Sequence, residues 1–570
     1  MKRIAAFLLA LCAAAPAAAD EGMWTFDNFP SARVGEKYGF APDAAWLEKV
    51  RLSSARLANG CSASFVSPDG LVLTNHHCVH ACVEQLSSAK EDLVEAGFLA
   101  RRREDERRCP AMEVNQLLEI RDVTREIEKA TAGREGKAFT DALNAAKAKL
   151  TAACATDENV RCDVVTLYAG GMYHLYRYRR FQDVRLVFAP ELDIAFFGGD
   201  PDNFTFPRYN LDMAFLRVWE DGRPARLEHW FAWDEEGAAP GELVFVSGHP
   251  GRTSRLLTVS QLAFERDVAL PRRLYHLAEL RGVLTEFGRR GEEEARIAKT
   301  PLFGVENSFK ALRGRHEALL DDALFSARVE EERKLRAWVE ADPKRRARWG
   351  DAWAEIEAAQ GRQRALYDEL VLVEGRMPWG LRSHLFLHAR TLVRAAAELQ
   401  KPDAERLPEF TEANLPALQA ALFSQAPIYP ALEETQLVFS LTKLREILGT
   451  DHHTVQVVLG RDSPATLAAK LVRSKLYDPA ERRRLFEGGA KAIAASKDPM
   501  IELARRVDPA ARAIRARYES EVESVERRGG QQIAQARFEA FGTDVYPDAT
   551  FTLRLSYGAV EGWEEDGERV

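Results

Sequence analysis

Two short segments near the start of the chain concentrate side chains that can carry out chemistry. Gly60-Cys61-Ser62-Ala63-Ser64-Phe65 is followed by Leu73-Thr74-Asn75-His76-His77-Cys78, and His80 and Cys82 stand just behind them. A histidine can act as a general base near neutral pH, and imidazoles together with thiolates can bind zinc. Structural zinc sites usually take paired ligands from two such clusters, and the sequence contains no second cluster. The pattern therefore favours a catalytic histidine over a metal site.

A histidine that acts as a general base needs a carboxylate to hold it in the correct tautomer. Two stretches offer such a carboxylate: Leu192-Asp193-Ile194-Ala195-Phe196-Phe197 and Leu211-Asp212-Met213-Ala214-Phe215-Leu216. Both have the apolar character of a strand, and their periodicity does not separate Asp193 from Asp212. On the residues alone, both aspartates remain candidates for the partner of the histidine.

The first residues of the chain have the pattern of a secretory signal peptide. Lys2 and Arg3 precede the apolar run Ile4–Ala15, and the small residues before Asp20 predict cleavage after Ala19. The signal peptide therefore comprises residues 1–19. A periplasmic or secreted protein matures in an oxidising compartment, where cysteines pair as disulfides.

An even number of cysteines remains once Cys12 leaves with the signal peptide, which indicates disulfides in an exported chain. The cysteines that remain are Cys61, Cys78, Cys82, Cys109, Cys154 and Cys162. Cys154 and Cys162 flank a short polar loop and form the pair that is easiest to bridge locally. The other pairings stay open on this basis.

Composition excludes several classes of protein. Apolar residues make up 46% of the 570 and charged residues 29%, which allows a buried core and is unlike a disordered chain. The 79 basic and 87 acidic side chains give a net charge of −8, which argues against a nucleic-acid-binding protein. After the signal peptide no apolar run is long enough to span a bilayer. Glycine-rich phosphate loops and dinucleotide fingerprints are absent, so we expect no cofactor.

The elements that must position these residues begin with a part rich in strands, residues 20–265. A Ser-Pro-Asp-Gly turn predicts a hairpin between Ser62–Val66 and Leu71–Thr74. A helical excursion, rich in Lys, Glu and Ala, is predicted over Met112–Ala155. The further predicted strands are Asp163–Tyr168, Tyr173–Tyr178, Val184–Phe188, Leu211–Trp219 and Glu242–Ser247.

The character of the chain changes after residue 265. Leucine and alanine residues repeat at helical spacing, and long Arg/Glu-rich stretches follow, so residues 266–540 are predicted to form a helical domain. In residues 541–570 the pattern reverts, because Phe551–Tyr557 alternates like a strand. The simplest arrangement is an α+β protein in which a helical domain is inserted into a β domain.

A longer motif lies between the two candidate aspartates. Phe197–Arg208 reads FGGDPDNFTFPR. It resembles the Gly-Gly-Asp-x-Asp-Asn-Trp-x-Trp-Pro-Arg segment of the bacterial dipeptidyl-peptidases, a family of chymotrypsin-fold serine exopeptidases. The resemblance extends over nearly the whole chain, through Asp20–Trp24, Gly60–Cys78, Phe245–Arg252, Asn307–Lys310 and Tyr546–Gly558.

The resemblance implies a fold and a catalytic pair. The fold would be a chymotrypsin-like double β-barrel with a large inserted all-helical cap domain. In that family the motif precedes the triad aspartate, so Asp212 takes this role and His77 is the general base. A disulfide between Cys61 and Cys78 would fix the turn that carries His77.

The same resemblance implies a substrate and the residues that bind it. The substrates would be peptides with a free N-terminus, from which dipeptides are removed. Asn203 and Asn307 match the asparagines that bind this N-terminus. Phe204 stands where the family usually has a tryptophan. The family also implies a homodimer.

The nucleophile expected from the resemblance is missing. In the family it lies in a Gly-Asn-Ser-Gly-type stretch after the strand that matches Tyr546–Arg554, and no serine here has a Gly-x-Ser-Gly setting. Ser62, Ser64 and Ser247 fall on predicted strands and are interpreted as structural. We therefore expect that the chain is truncated and that its second barrel is incomplete. A complete natural protein would not be expected to leave the edge of the strand Phe551–Tyr557 unpaired.

Two other functions compete with the serine exopeptidase. The first is a catalytically inactive homologue, or a gene fragment, that keeps the site for the N-terminus and binds peptides. The second is a metal-dependent hydrolase that uses the cluster between His76 and Cys82.

Overall fold

The computed structural model describes residues 20–88, 90–110, 112–375, 380–565 and 567–569. The predicted signal peptide, residues 1–19, lies outside these ranges. None of the helices in the described ranges combines the length and the hydropathy that a membrane-spanning helix requires.

The strands of the described residues are numbered along the chain. They are β1 (Ser54–Leu57), β2 (Ser62–Phe65), β3 (Leu71–Thr74), β4 (Phe98–Leu99), β5 (Arg107–Arg108), β6 (Val114–Asp122), β7 (Val160–Leu167), β8 (Met172–Phe181), β9 (Asp183–Ala189), β10 (Ala214–Glu220), β11 (Arg223–Pro224), β12 (Leu243–Gly248), β13 (Arg554–Ala559), β14 (Glu564–Glu565) and β15 (Glu568–Arg569).

The α-helices are numbered in the same way. They are α1 (Ser31–Tyr38), α2 (Ala44–Ser53), α3 (His76–Leu86), α4 (Leu93–Ala96), α5 (Thr124–Thr131), α6 (Gly136–Cys154), α7 (Leu192–Ala195), α8 (Gly199–Asp202), α9 (Val259–Phe264), α10 (Leu270–Gly288), α11 (Glu292–Leu320), α12 (Asp322–Glu340), α13 (Pro343–Trp349), α14 (Ala352–Glu369), α15 (His384–Glu398), α16 (Leu415–Leu422), α17 (Pro430–Leu448), α18 (His453–Leu459), α19 (Pro464–Leu471), α20 (Pro479–Glu487), α21 (Gly489–Ala495), α22 (Pro499–Tyr518) and α23 (Ser524–Phe541). Short 3₁₀ turns span Phe26–Asn28, Arg103–Asp105, Tyr168–Gly170, Asp403–Glu405 and Pro408–Phe410, and π-helical turns span Glu265–Ala269, Leu370–Glu374 and Glu519–Glu523.

Most of the strands form one antiparallel sheet. It has 11 strands in the described residues, in the order β4–β9–β10–β3–β2–β1–β6–β8–β7, with β11 paired to β10 and β5 to β9. Alternate residues of β2 and β3 are buried, and Ala63, Phe65 and Val72 enter one apolar core. Because β3 and β10 are neighbours, Thr74 at the end of β3 lies opposite Ala214 at the start of β10.

A smaller antiparallel sheet joins two distant parts of the chain. β12 pairs with β13, with Val246 opposite Ser556. Trp24, near the start of the described chain, forms an isolated bridge with Leu555 of β13. Helices α9 to α23 all lie between β12 and β13 in sequence, so the chain leaves this sheet, forms the helices and returns to it.

The last helix of this series, α23, packs directly against the turn at residues 168–170. Gly530 permits the close approach, because a Cβ at this position would lie 2.5 Å from the carbonyl oxygen of Ala169. The Phe538 ring contacts the Tyr168 ring edge-on, with centroids 4.9 Å apart. Apolar contact therefore connects the helical part of the chain to the sheet.

The mixed class of helices and antiparallel strands, predicted from the sequence, is confirmed. The predicted hairpin is β2–β3, and the strands predicted over Tyr173–Tyr178 and Val184–Phe188 lie within β8 and β9. The helices of the second part run from Val259 to Phe541, close to the predicted range 266–540. The division of the chain into a peptidase domain and a cap domain stays a prediction.

Two predicted elements need correction. The helical excursion over Met112–Ala155 is wrong in its first part, where β6 pairs with β1 and β8. Residues 114–117 of β6 are all buried, so the alternation that marks a half-exposed strand is absent. The strand predicted over Leu211–Trp219 begins only at Ala214, and Asp212 therefore lies just before β10.

Candidate active site

Three disulfides stabilise the strand-rich part of the chain. They are Cys61–Cys78, Cys82–Cys109 and Cys154–Cys162. The first two attach α3 to the sheet at two points, because Cys78 and Cys82 lie one turn apart in this helix. The pair Cys154–Cys162, predicted from its spacing, and the pair Cys61–Cys78, implied by the resemblance, are both present.

His77 lies in the first turn of α3, directly after β3. Asn75 is the residue that precedes the helix. The side chain of His77 is 61% exposed, whereas His76 is only 1% exposed. Burial lowers the pKa of His76, and the nearby His80 lowers it further. Of the two adjacent histidines, His77 is therefore the one that a substrate can reach.

Asp212 contacts His77 through both carboxylate oxygens. Its Oδ2 lies 2.7 Å from Nδ1 of the imidazole, and its Oδ1 accepts a hydrogen bond of 3.0 Å from the His77 backbone N–H. The first N–H groups of a helix have no partner within the helix, so Asp212 also satisfies the N-terminus of α3. The same carboxylate thus holds the helix and orients the ring.

The charge of Asp212 follows from these contacts. Burial alone would raise the pKa of its carboxyl, but the hydrogen bonds from the His77 ring and backbone outweigh burial and hold the pKa below the usual aspartate range. The carboxylate is therefore ionised at neutral pH and accepts the Nδ1–H of His77. This leaves Nε2 as the basic nitrogen of the imidazole.

Asn75 is a residue of the candidate site that the sequence pattern did not indicate. Its Nδ2 donates to Oδ2 of Asp212 at 3.2 Å and to the Asp212 backbone carbonyl at 3.0 Å. Asn75 therefore fixes the carboxylate relative to β3. It directly precedes His76 and His77 in the chain, but its position in the sequence by itself indicates no partner.

The structure separates the two candidate aspartates. Asp193 is exposed in the short helix α7, so the stretch that resembled a strand is helical there. Asp212 precedes β10, whose first residue Ala214 is opposite Thr74 of β3. Adjacency of β3 and β10 in the sheet thus brings Asp212, and not Asp193, to His77.

Two of the serines considered in the sequence, Ser62 and Ser247, form hydrogen bonds with groups other than His77. Ser62 Oγ accepts a hydrogen bond of 2.7 Å from the backbone N–H of His249, and Ser54 Oγ donates to Ser247 Oγ at 2.8 Å. Across the ranges that the structure describes, no serine hydroxyl forms a hydrogen bond with His77. The hydrogen bonds of Ser62 and Ser247 agree with their interpretation as structural residues.

The cysteines near His77 do not provide metal ligands. Cys61, His77 and Cys78 place their sulfur and nitrogen atoms within 4.8 Å of one another. The two sulfurs are bonded to each other, however, and Cys82 is bonded to Cys109, whereas zinc binds thiolates. The alternative of a metal-dependent hydrolase thus loses the cysteine ligands on which it depended.

The residues matched to the N-terminus site come from two distant parts of the chain. Asn203 follows α8, and Asn307 lies in α11. Nδ2 of Asn203 donates a hydrogen bond of 3.0 Å to Oδ1 of Asn307, across 104 positions of sequence. The adjacent Phe204 is 64% exposed and has a left-handed backbone, with φ of 66°. An exposed aromatic ring thus follows directly in sequence on one of two half-buried amides that are hydrogen-bonded to each other.

The comparison with known families decides the class of the protein. The family model of peptidase S46 matches residues 19–570. The chain belongs to the peptidase S46 family. This S46 peptidase is 28% identical to the Asp/Glu-specific dipeptidyl-peptidase of Shewanella putrefaciens, over 96% of the chain and 77% of that relative. It is 25% identical to dipeptidyl-peptidase 7 of Porphyromonas gingivalis, over 98% of the chain and 80% of that relative.

Solved structures show a similar fold. The crystal structure of Porphyromonas endodontalis DPP11 in complex with the dipeptide Arg-Glu matches the S46 chain with a TM-score of 0.76. The match covers 97% of this chain and 82% of DPP11, at 21% sequence identity. The arrangement of helices and antiparallel strands is therefore shared with DPP11.

Proposed function

We propose that this S46 peptidase is a serine-type dipeptidyl aminopeptidase, which removes dipeptides from the N-terminus of peptides. The observation that carries the proposal is the contact between His77 and Asp212 in a chain of this peptidase family. The Shewanella and Porphyromonas gingivalis relatives are named dipeptidyl-peptidases, and DPP11 was crystallised with a dipeptide. These names support the same class of reaction for this chain.

In the proposed reaction, His77 moves protons at Nε2 while Asp212 stabilises the imidazolium cation. His77 first accepts the proton of a serine hydroxyl, and the serine oxygen attacks the carbonyl carbon of the second peptide bond. When the C–N bond breaks, His77 gives this proton to the departing amine. Water then hydrolyses the acyl-enzyme with His77 again as the base, which releases the dipeptide and restores the serine. The reaction uses no metal ion and no cofactor.

In the family that the chain resembles, the nucleophile is a serine in a Gly-Asn-Ser-Gly-type stretch. Such a stretch does not occur within the 570 residues, which span 77% of the length of the Shewanella relative. The geometry of His77 and Asp212 does not depend on that serine, since both residues are held by α3, β3 and β10. The serine therefore has to be identified by chemical labelling.

The proposed site for the substrate's N-terminus consists of Asn203, Asn307 and Phe204. An ammonium group has three hydrogen-bond donors and no acceptor, so amide oxygens suit it. The face of the Phe204 ring adds a cation–π contact, although phenylalanine is a weaker partner than the family's tryptophan. Holding the ammonium two residues from the scissile bond limits the product to a dipeptide.

The wider architecture is part of the same proposal. The large sheet corresponds to the first barrel of a chymotrypsin-like fold, β12 and β13 to part of the second, and residues 266–540 to a helical cap over the cleft. Three disulfides support a periplasmic or secreted location, because such bonds persist in oxidising compartments. A homodimer is the assembly that the family resemblance implies.

Hydrolysis of a fluorogenic dipeptidyl substrate tests the proposed function. We expect release of the fluorophore from a substrate with a free N-terminus and at least tenfold slower release from its N-acetylated form. A fluorophosphonate probe, followed by peptide mass spectrometry, identifies the reactive serine. Dipeptide binding without hydrolysis or labelling would support the inactive peptide-binding homologue instead.

A further inference from the structure

Arg208, the last residue of the FGGDPDNFTFPR motif, holds the segment that carries Asn203. Its Nη1 donates to Oδ1 of Asn203 at 3.0 Å, and its Nη2 donates to the backbone carbonyl of Gly199 at 3.2 Å. The guanidinium carbon lies 5.1 Å from the centroid of the Phe196 ring. The planar guanidinium can engage both acceptors at once, which an ammonium group does less well. One side chain therefore connects the two ends of residues 199–203.

The contact with Arg208 determines which way the Asn203 amide points. Oδ1 of Asn203 faces a guanidinium donor, and its Nδ2 faces the Oδ1 acceptor of Asn307. If the amide were rotated by 180°, its NH₂ group would face the Arg208 guanidinium, another donor. Its oxygen would face Oδ1 of Asn307, another acceptor. Each amide oxygen accepts one hydrogen bond in this arrangement and keeps a second lone pair. The arrangement therefore suits a ligand that only donates hydrogen bonds.

Lys310 makes a second connection between α11 and the same segment. Its Nζ lies 2.8 Å from Oδ2 of Asp200 and also contacts the backbone carbonyl of Asp200. Lys310 is three residues after Asn307, so the two side chains share one face of the helix. The contacts Asn307–Asn203 and Lys310–Asp200 thus attach adjacent turns of α11 to residues 199–203.

The charge of Lys310 is paired with that of Asp200 at this connection. The Arg208 guanidinium faces uncharged oxygens and an aromatic ring. The Asp200 carboxylate therefore offsets the repulsion that Lys310 would exert on an approaching ammonium group.

We infer that Arg208 and Lys310 are positioning residues for the substrate's N-terminus. Arg208 orients the Asn203 amide so that its oxygen accepts from the ammonium group, and Lys310 sets the place of Asn307 relative to Asn203. This inference rests on the proposed role of Asn203 and Asn307, and it adds how their geometry is maintained.

Calorimetric titration with a dipeptide and with the same dipeptide N-acetylated tests the inference, because binding needs no nucleophile. The variants are Arg208→Lys, Lys310→Met and the rescue variant Lys310→Arg. Arg208→Lys keeps the positive charge but loses the planar guanidinium that donates to two acceptors at once. Lys470→Met is the matched control, since Lys470 forms a similar pair with Asp462 at 2.7 Å on another helix. Thermal melting of each variant reports whether it is folded.

We expect Arg208→Lys and Lys310→Met each to weaken binding of the free dipeptide about tenfold or more. Binding of the acetylated dipeptide should not change, and Lys310→Arg and Lys470→Met should bind like the original protein. The inference would be overturned if folded Arg208→Lys and Lys310→Met variants bound the free dipeptide as tightly as the original protein does and preferred it to the acetylated dipeptide to the same extent. If the original protein itself does not prefer the free N-terminus, the proposed role of Asn203 and Asn307 fails, and the inference fails with it. Fluorophosphonate labelling needs only the serine and its base. Labelling of a protein that shows no preference for the free N-terminus would therefore leave the peptidase proposal intact.

Discussion

The pair His77–Asp212 and the pair Asn203–Asn307 are held in place by different kinds of interaction. His77 and Asp212 lie just beyond two adjacent strands, where Thr74 is opposite Ala214, and disulfides attach α3 to the sheet. Asn203 and Asn307 are 104 positions apart in the sequence and are joined by a side-chain hydrogen bond. Backbone pairing and covalent bonds therefore determine the first geometry, whereas side-chain contacts determine the second.

This difference separates two properties of the proposed enzyme. The position of the general base depends on the sheet, so it should tolerate changes in the helical part of the chain. The length of the product depends on the place of α11 relative to residues 199–208, which a few polar side chains maintain. We therefore expect substitutions at the asparagines to change substrate affinity, and substitutions at the catalytic pair to change the rate of the chemical step.

The largest expected effect is that of Asp212→Asn. The carboxamide no longer holds the Nδ1–H tautomer of His77, and kcat/KM should fall by about 10,000-fold, as for the corresponding change in serine peptidases. Hydrolysis of a dipeptidyl substrate measures this loss. Asp193→Asn is the control and should leave the rate unchanged. An equal fall in kcat/KM for Asp212→Asn and Asp193→Asn would contradict the assignment of Asp212 as the specific partner of His77.

Removal of the disulfide next to His77 should affect stability and activity together. The bridge Cys61–Cys78 spans a sequence separation of 17, and its replacement by two serines should lower the free energy of unfolding by about 3 kcal/mol. For Cys154–Cys162, with a separation of 8, we expect a loss of about 2.5 kcal/mol and no loss of activity.

Urea denaturation and substrate hydrolysis distinguish the two disulfide variants. Thiol titration of the denatured, unreduced mature protein should find almost no free thiol. Titration of six thiols per chain would contradict the disulfides themselves, and unchanged activity without Cys61–Cys78 would contradict its role in positioning α3.

Asn307→Ala should act mainly on substrate affinity. A hydrogen bond to a charged group contributes about 1.5–3 kcal/mol, so KM for a dipeptidyl substrate should rise by about ten- to hundredfold, with a smaller change in kcat. Ser308→Ala, at the neighbouring position, removes a hydroxyl that bonds only within α11 and should leave KM unchanged. A fall in kcat at constant KM would place Asn307 in the chemical step instead.

The smallest expected effect is that of Phe204→Trp. Tryptophan is the better cation–π partner, and a gain of about 0.5–1 kcal/mol corresponds to a two- to fivefold tighter binding of a free dipeptide. Phe204→Leu should weaken binding of the dipeptide. Phenylalanine, tryptophan and leucine at position 204 would all have the same left-handed backbone, so the strain of this backbone contributes little to the differences between them. Equal affinity of the three forms for dipeptide in calorimetric titration would exclude an aromatic contact with the ammonium group.

Sequence reasoning succeeded where the interacting residues are close together in the chain. The hairpin of β2 and β3 follows from alternating residues around a turn, and the Cys154–Cys162 pair follows from a separation of 8. It failed for β6, because residues 114–117 of this strand are buried on both faces and lack the alternation that marks a half-exposed strand. Periodicity reports how one element is buried and contains no information on which element lies beside it.

The amino-acid sequence by itself determined the candidate base, the two possible aspartates, the cysteines available for disulfides and the change from strands to helices after residue 265. The resemblance in the FGGDPDNFTFPR motif favoured Asp212, and the tertiary structure showed its contact with His77, which depends on β3 and β10 being neighbours in the sheet. The tertiary structure likewise brought Lys310 to Asp200, 110 positions earlier in the chain. Contacts between residues more than a hundred positions apart depend on the path of the whole backbone, which local patterns do not encode.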